Sequence, residues 1–215
     1  MVKAEKDLCC LKLIGGHLAL NFANSIWRRT SDTPCEILSS YGLLVEWSRQ
    51  AGALTEERAK QLQEEGTLRT AEAQIVLERA RALREAIHEV FAAISVGSAP
   101  DPRAMATLNC DLSTAVCRRR IEGIPPDFTW AWNRSPGELD QMLWPIVHSA
   151  ADLLTSDDLR WIRICAADDC DRLFLDTSKN RRRRWCSMEW CGNRAKARRA
   201  GSQASEKTEH RKETE

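Results

Sequence analysis

The most regular pattern in the chain runs from Thr70 to Ser95. Val76, Ala80, Leu83, Ile87, Val90 and Ile94 recur at alternating steps of four and three, which lines one face of a helix. Arg79, Arg81, Glu85 and Glu89 fall largely on the rest of its surface. Gly97 ends this helix and "SAPDP" makes a turn. Asp101 then reads as an N-cap with Pro102 at the first helical position, opening a helix to about Asp111. Earlier, "SSYGLLVEWSRQAG" predicts a short helix with Leu43, Leu44 and Trp47 inward and Gly52 past its end. Thr55 caps a further helix over 56–65, closed by Gly66.

Other stretches read as extended. "STAVCRRRIEG" and "DFTWAWN" flank "GIPP" and are rich in Thr, Val, Ile, Phe and Trp, which predicts a hairpin. Ser135-Pro136 starts a long helical segment with Leu139, Met142, Leu143, Ile146, Val147, Ala150 and Leu154 on one stripe; Pro145 should kink or split it. Near the start, the apolar residues of "LKLIGGHLALNF" are dense, and Gly15-Gly16 points to a turn or bulge between strand pieces. The expected fold class is α+β: a mainly helical N-terminal domain with a small β component, residues 1–158, then a small module over 159–200. The tail 201–215 has no apolar residue beyond one alanine and is expected to be disordered.

Composition and charge sharpen this division. The 43% hydrophobic share can bury a core in a chain of 215 residues. No run approaches the ~20 apolar residues of a membrane span, and the first twenty residues lack a clean apolar stretch of the signal-peptide kind. A cytoplasmic protein with reduced thiols is the expectation. The net charge of +1 hides an uneven layout: residues 160–200 carry 12 Lys/Arg against 5 Asp/Glu, while residues 1–159 carry 17 against 22. A basic module on an acidic body points to a polyanionic partner for the module.

The nine cysteines then take on meaning. Cys165, Cys170, Cys186 and Cys191 form two C-x4-C pairs separated by 15 residues. Each pair can bend around one ion, and the segment between them can bring the pairs together. "DRLFLD" reads as a strand, "TSKN" as a turn and "RRRRWCS" as the return strand, after which Ser187 caps a helix to about Ala200. That is the plan of a treble-clef zinc finger. Four thiolates favour a closed tetrahedral Zn2+ site, structural because no position is left open for water. Metal binding would supply most of the stability of a module of ~40 residues. Cys9, Cys10, Cys35, Cys110 and Cys117 read as small thiols outside the site.

Around this scaffold sit two basic groups. Lys179, Arg181, Arg182, Arg183 and Arg184 cluster at the predicted turn, and Arg194, Lys196, Arg198 and Arg199 lie on the following helix. If about five to seven of them neutralise phosphates, log K should fall against log salt with a slope of roughly −4 to −6. Arg194 and Arg198 are the candidates for base contacts. Trp185 and Trp190 flank the last two ligands and are expected to pack the module's small core. In the body, His17, Asn21 and Asn24 are spaced to line a small-molecule pocket, with hydrogen bonding to buried backbone as the alternative. The apolar face over 76–94 can serve either a homodimer or the body's own core.

The stretch Cys165–Arg199 closely resembles the CGNR zinc-finger family, through "CAADDCDRLFLDTSKN", "RRRRWCSMEWCGNRAKARR" and Cys191-Gly192-Asn193-Arg194 itself. Upstream, "GGHLALNFANS" is similar to the opening motif of the ABATE domain, and "LLVEWSRQAGALTEE" and "HSAADLLTSDDLRWIRIC" are similar to its later segments. The resemblance implies a transcription regulator with a sensor-like body and a DNA-binding finger; the expected partner is double-stranded DNA, with the body sensing a ligand or forming a homodimer. An RNA-binding or protein-docking finger is the alternative. An enzyme is not expected: residues 159–209 contain no histidine, and no Ser/His/Asp or phosphate-loop pattern appears in the body.

Overall fold

The computed structural model describes residues 12–29, 33–133 and 137–198. Arg199, Cys9, Cys10, Ser135-Pro136 and the tail 201–215, all singled out above, lie outside them. The elements run α1 (Leu18–Ala23), β1 (Ile26–Trp27), β2 (Cys35–Glu36), α2 (Tyr41–Gln50), α3 (Glu56–Leu68), α4 (Thr70–Ser95), α5 (Pro102–Val116), β3 (Arg119–Ile124), β4 (Asp127–Trp132) and α6 (Leu143–Leu154). A 3-10 turn (Asp157–Trp161) leads into β5 (Ile162–Ile164) and β6 (Leu173–Leu175), and a wide π turn (Met188–Gly192) opens a last helix, α7, over 193–198. The strands form three separate antiparallel pairs, β1–β2, β3–β4 and β5–β6.

Helix α4 is the axis of the body and has the bounds its periodicity predicts. Ala73, Leu77, Ala80, Leu83, Ala86, Ile87, Val90 and Phe91 are its buried apolar side chains, joined by the buried Arg84, while Val76 and Ile94 sit half-buried at the margin. The α2 and α3 helices pack on one another, and α5 and α6 close the other side. Ser40, Thr55 and Asp101 each accept a backbone N–H as N-caps, from Leu43, Arg58 and Arg103.

Several expectations change. Leu43 is 44% exposed; Tyr41, Leu44, Val45 and Trp47 form the inward face of α2 instead. Gly66 does not end α3 but lies inside it, against the Tyr41 ring, where a Cβ would come within 2.5 Å of Cε1. The α5 helix runs on to Val116 because Leu108, Asp111 and Ala115 continue its buried stripe, so Ser113–Val116 are helical rather than part of the hairpin. The β3–β4 hairpin itself is present, with a cis Pro125-Pro126 peptide at its tip. Helix α6 starts only at Leu143, which places Pro145 in its first turn. There the missing N–H has no intrahelical partner to lose, and the expected kink is not needed. The dense apolar stretch near the start bends at Gly15-Gly16 as expected, but its second half, from Leu18, is the helix α1 rather than a strand piece. Ala19, Leu20, Phe22 and Ala23 are all buried, so no polar face marks its period.

The small module is joined to the body through β6. Alternation along this strand sends Leu173 and Leu175 into the body's hydrophobic core with Ile162, and sends Phe174 into a second core with the four cysteines of the module. One edge of β6 pairs with β5. The other edge is taken by the body: Asn24 Nδ2 donates to the Leu173 carbonyl at 2.7 Å, Asn24 Oδ1 accepts from the Leu173 N–H at 2.9 Å, and the Gly15 carbonyl accepts from the Leu175 N–H at 2.8 Å. A buried carboxamide thus does the work of a neighbouring strand. Charge adds to the junction: Arg29 pairs with Glu85 of α4 and with Asp171 of the module, and His88 Nε2 lies 3.0 Å from the Asp171 carbonyl.

Replacing Asn24 with Ala strands the Leu173 N–H and C=O in a buried setting. Loss of about 2–3 kcal/mol of stability is expected, read as a lowered midpoint of denaturant unfolding with an unchanged slope.

Candidate metal centre and basic surface

The thiol cluster is assembled from three segments. Cys165 follows β5 directly, and a tight turn returns the chain at Cys170, whose N–H donates to the Ala167 carbonyl at 3.0 Å. Cys186 lies at the end of the basic loop, and Cys191 sits in the π turn, where Ser187 caps the opening through the Trp190 N–H. All four are buried, and their Sγ atoms lie within 4.8 Å of one another. The separations Cys170–Cys186 and Cys186–Cys191 are 3.7 and 3.6 Å. A disulfide would need about 2.05 Å, whereas a tetrahedron of Zn–S bonds near 2.3 Å has edges of about 3.8 Å. The donor set and its spacing therefore fit one Zn2+. Backbone and side-chain donors point at the sulfurs as well: the Cys186 N–H lies 3.3 Å from Cys165 Sγ, and Arg194 lies 3.6 Å from Cys191 Sγ. Such donors stabilise thiolate charge around a metal.

The return strand expected after "TSKN" is absent. Leu173–Leu175 pairs with Ile162–Ile164, not with 181–186, because the body occupies the strand's remaining edge. The loop is instead held by Asp176, whose carboxylate accepts from the Ser178 N–H, the Ser178 hydroxyl and the Arg183 N–H. Burial works against its charge, but these donors, with Ser178 foremost, hold its carboxyl below the usual value.

The basic residues divide into two sets. Three turn inward. Arg181, in a left-handed backbone conformation, donates to the Asp176 carbonyl and lies 5.0 Å from the Trp161 ring. Arg183 donates to the Trp185 and Cys186 carbonyls and covers the Phe174 ring at 4.4 Å. Arg194 is half-buried and pairs with Asp169 at 2.9 Å. Lys179, Arg182, Arg184, Lys196 and Arg198 are exposed, and Arg198 reaches Asp168 and Asp169 at 3.2 and 3.3 Å. The two candidates for base contacts, Arg194 and Arg198, are thus the two arginines engaged by carboxylates. Reading only the basic residues missed this; the signal was the Asp168-Asp169 pair between the first two cysteines. Trp185 packs half-buried against the thiol cluster as expected.

In the body, the polar atoms of the candidate pocket residues are engaged internally. Asn21 Oδ1 accepts from the Gly15 N–H at 2.7 Å, Asn24 pairs with Leu173, and His17 Nδ1 lies 3.1 Å from Ser149 Oγ. Burial holds the His17 imidazole below its ordinary value. Of the remaining cysteines, Cys35 is half-buried in β2, and Cys110 and Cys117 are exposed. Among the described residues no helix is long and apolar enough to cross a membrane.

Because Leu173 and Leu175 belong to the body's core, losing the metal should unsettle more than the module. A Cys186→Ser chain is expected to lose its zinc in elemental analysis and to melt lower by at least about 10 °C, with body and module signals falling together.

Comparison with known families agrees with this geometry. No curated protein matches the chain. Residues 161–203 match the CGNR zinc finger, which assigns one structural Zn2+ to Cys165, Cys170, Cys186 and Cys191. Residues 16–157 match the model described as "Putative stress-induced transcription regulator", ABATE. The chain, with two thirds of its length inside that match, belongs to the ABATE family and carries a CGNR zinc finger behind the ABATE domain.

Proposed function

We propose that the protein is a DNA-binding transcription regulator whose zinc finger grips the phosphate backbone of a duplex. The observation that carries this reading is the placement of Lys179, Arg182, Arg184 and Lys196 as exposed cations on a loop and helix fixed by one thiol cluster. They belong to the basic segment of a chain whose remainder is acidic. The family's description as a regulator supports the same reading. Fluorescence anisotropy with a labelled duplex across salt is the test. Four phosphate contacts give a log–log slope of roughly −4, and changing all four residues to Ala should remove most of it. Salt-independent binding, binding that survives zinc removal, or preference for single-stranded RNA would overturn the reading.

We further infer that the body dimerises through the β3–β4 hairpin rather than the apolar face of α4, which is buried in its own core. Register puts Ile121 opposite Trp130 and Gly123 opposite Phe128, all on one face. Ile121, Phe128 and Trp130 are 63, 58 and 64% exposed. These three side chains offer roughly 400 Å2 of apolar surface per copy. Two such faces, with flanking backbone, reach the roughly 1,000 Å2 of a specific interface. Residues 119–132 carry two Arg and two acidic side chains, so two hairpins meet without net repulsion although the bodies are acidic. Trp132, 6.2 Å from Trp144, roots the hairpin in the body. In sedimentation, the unaltered chain is expected as a dimer and Ile121→Glu/Trp130→Glu as a folded monomer. A monomeric unaltered chain, or a dimeric variant, would refute the assignment.

A further inference from the structure

Between the Cys165–Cys170 turn and helix α7 lies a cleft of about 240 Å3, lined by Asp168, Arg184, Trp185, Arg194 and Arg198 among others. Three guanidinium groups converge there, and two of them are already paired. Arg194 is held at 2.9 Å by Asp169, and by Cys191 Sγ on the zinc side. Both members of its carboxylate pair are about one-third exposed or less, which makes it the fixed side of the cleft. Arg198 divides its two terminal nitrogens between two different carboxylates, at 3.2 Å to Asp168 and 3.3 Å to Asp169. Both distances exceed the 2.7–2.9 Å of a strong charge-assisted bond, and the geometry is not the parallel fork that a guanidinium makes with a single two-oxygen anion. The Asp168 side chain is 90% exposed and that of Arg198 51%, so this pair is wet, screened and weak.

We propose that this cleft is a phosphodiester site closed by its own carboxylates, with Asp168 standing where a DNA phosphate would sit. The proposal rests on the DNA-binding reading above. A phosphate entering the cleft presents two oxygens to Arg198 in place of one oxygen from each of two aspartates, with Arg184 also lining the cleft. Asp168 then swings into water. The arrangement also selects the ligand. An isolated phosphate must displace Asp168 alone, against the repulsion of Asp169. A duplex arrives already held by Lys179, Arg182 and Lys196, so the exchange at Arg198 occurs within a formed complex. The site therefore answers to a backbone carrying several phosphates and not to free phosphate.

Labelled duplex DNA is the probe, with the unaltered full chain, Asp168→Asn, Arg198→Ala and the double variant measured across salt, and inorganic phosphate as competitor. Removing one like charge at the edge of the site should tighten binding by about threefold to fivefold at low salt, and less as salt rises. That gain should disappear when Arg198 is also Ala. Millimolar inorganic phosphate should not displace the duplex beyond its contribution to ionic strength. If Asp168→Asn binds equally or more weakly, or its gain persists without Arg198, the closed-site proposal is wrong while the DNA-binding reading stands. If no form of the protein binds duplex, the DNA-binding reading itself fails and this proposal falls with it.

Discussion

The three residues of β6 hold the molecule together in a literal sense. Leu173 and Leu175 are part of the hydrophobic core built by α1, α4 and α6, and Phe174 between them is part of the core around the thiols. A strand gives alternate side chains to opposite faces, and here the two faces belong to different structural units. The strand also has two hydrogen-bonding edges, one given to β5 and the other to Asn24 and Gly15. With both edges and both faces used, the module cannot be pictured as a bead on a string. The metal organises one side of this strand and the helices organise the other.

What could be read from the sequence alone follows from how local each signal is. The bounds of α4 were legible because apolar periodicity is a property of neighbouring residues. The caps at Thr55 and Asp101 were legible because an N-cap bonds to residues two or three positions on. The four metal ligands were legible because each pair spans a single turn. The pairing of β6 was not: its partners Asn24 and Gly15 come from the opposite end of the chain, 149 residues from Leu173 in the case of Asn24. Nothing local distinguishes a strand that pairs forward with "RRRRWCS" from one that pairs backward with Ile162–Ile164. The α1 segment failed for a related reason, since a six-residue helix with four side chains buried is too short and too apolar to show a period.

The basic segment shows a second limit of reading by composition. Nine cations looked interchangeable as charges, yet the structure gives the eight it describes different tasks. Arg181 and Arg183 close the loop by donating to carbonyls and covering aromatic rings. Arg194 supports a zinc ligand. Lys179, Arg182, Arg184 and Lys196 project into solvent. A guanidinium can meet several acceptors in a plane and an ammonium cannot, which accounts for arginine at the loop-closing positions. Charge counting would credit all of them equally to a polyanion.

The connection between the two units has a consequence for recognition. Asp157–Trp161 turns straight into β5 without a flexible spacer, and the Trp161 carbonyl accepts from the Asp176 N–H at the base of the basic loop. Hinge freedom between body and finger is therefore surrendered during folding, before any ligand arrives. Whatever meets the basic loop encounters a surface already aimed, and association need not freeze a swinging domain.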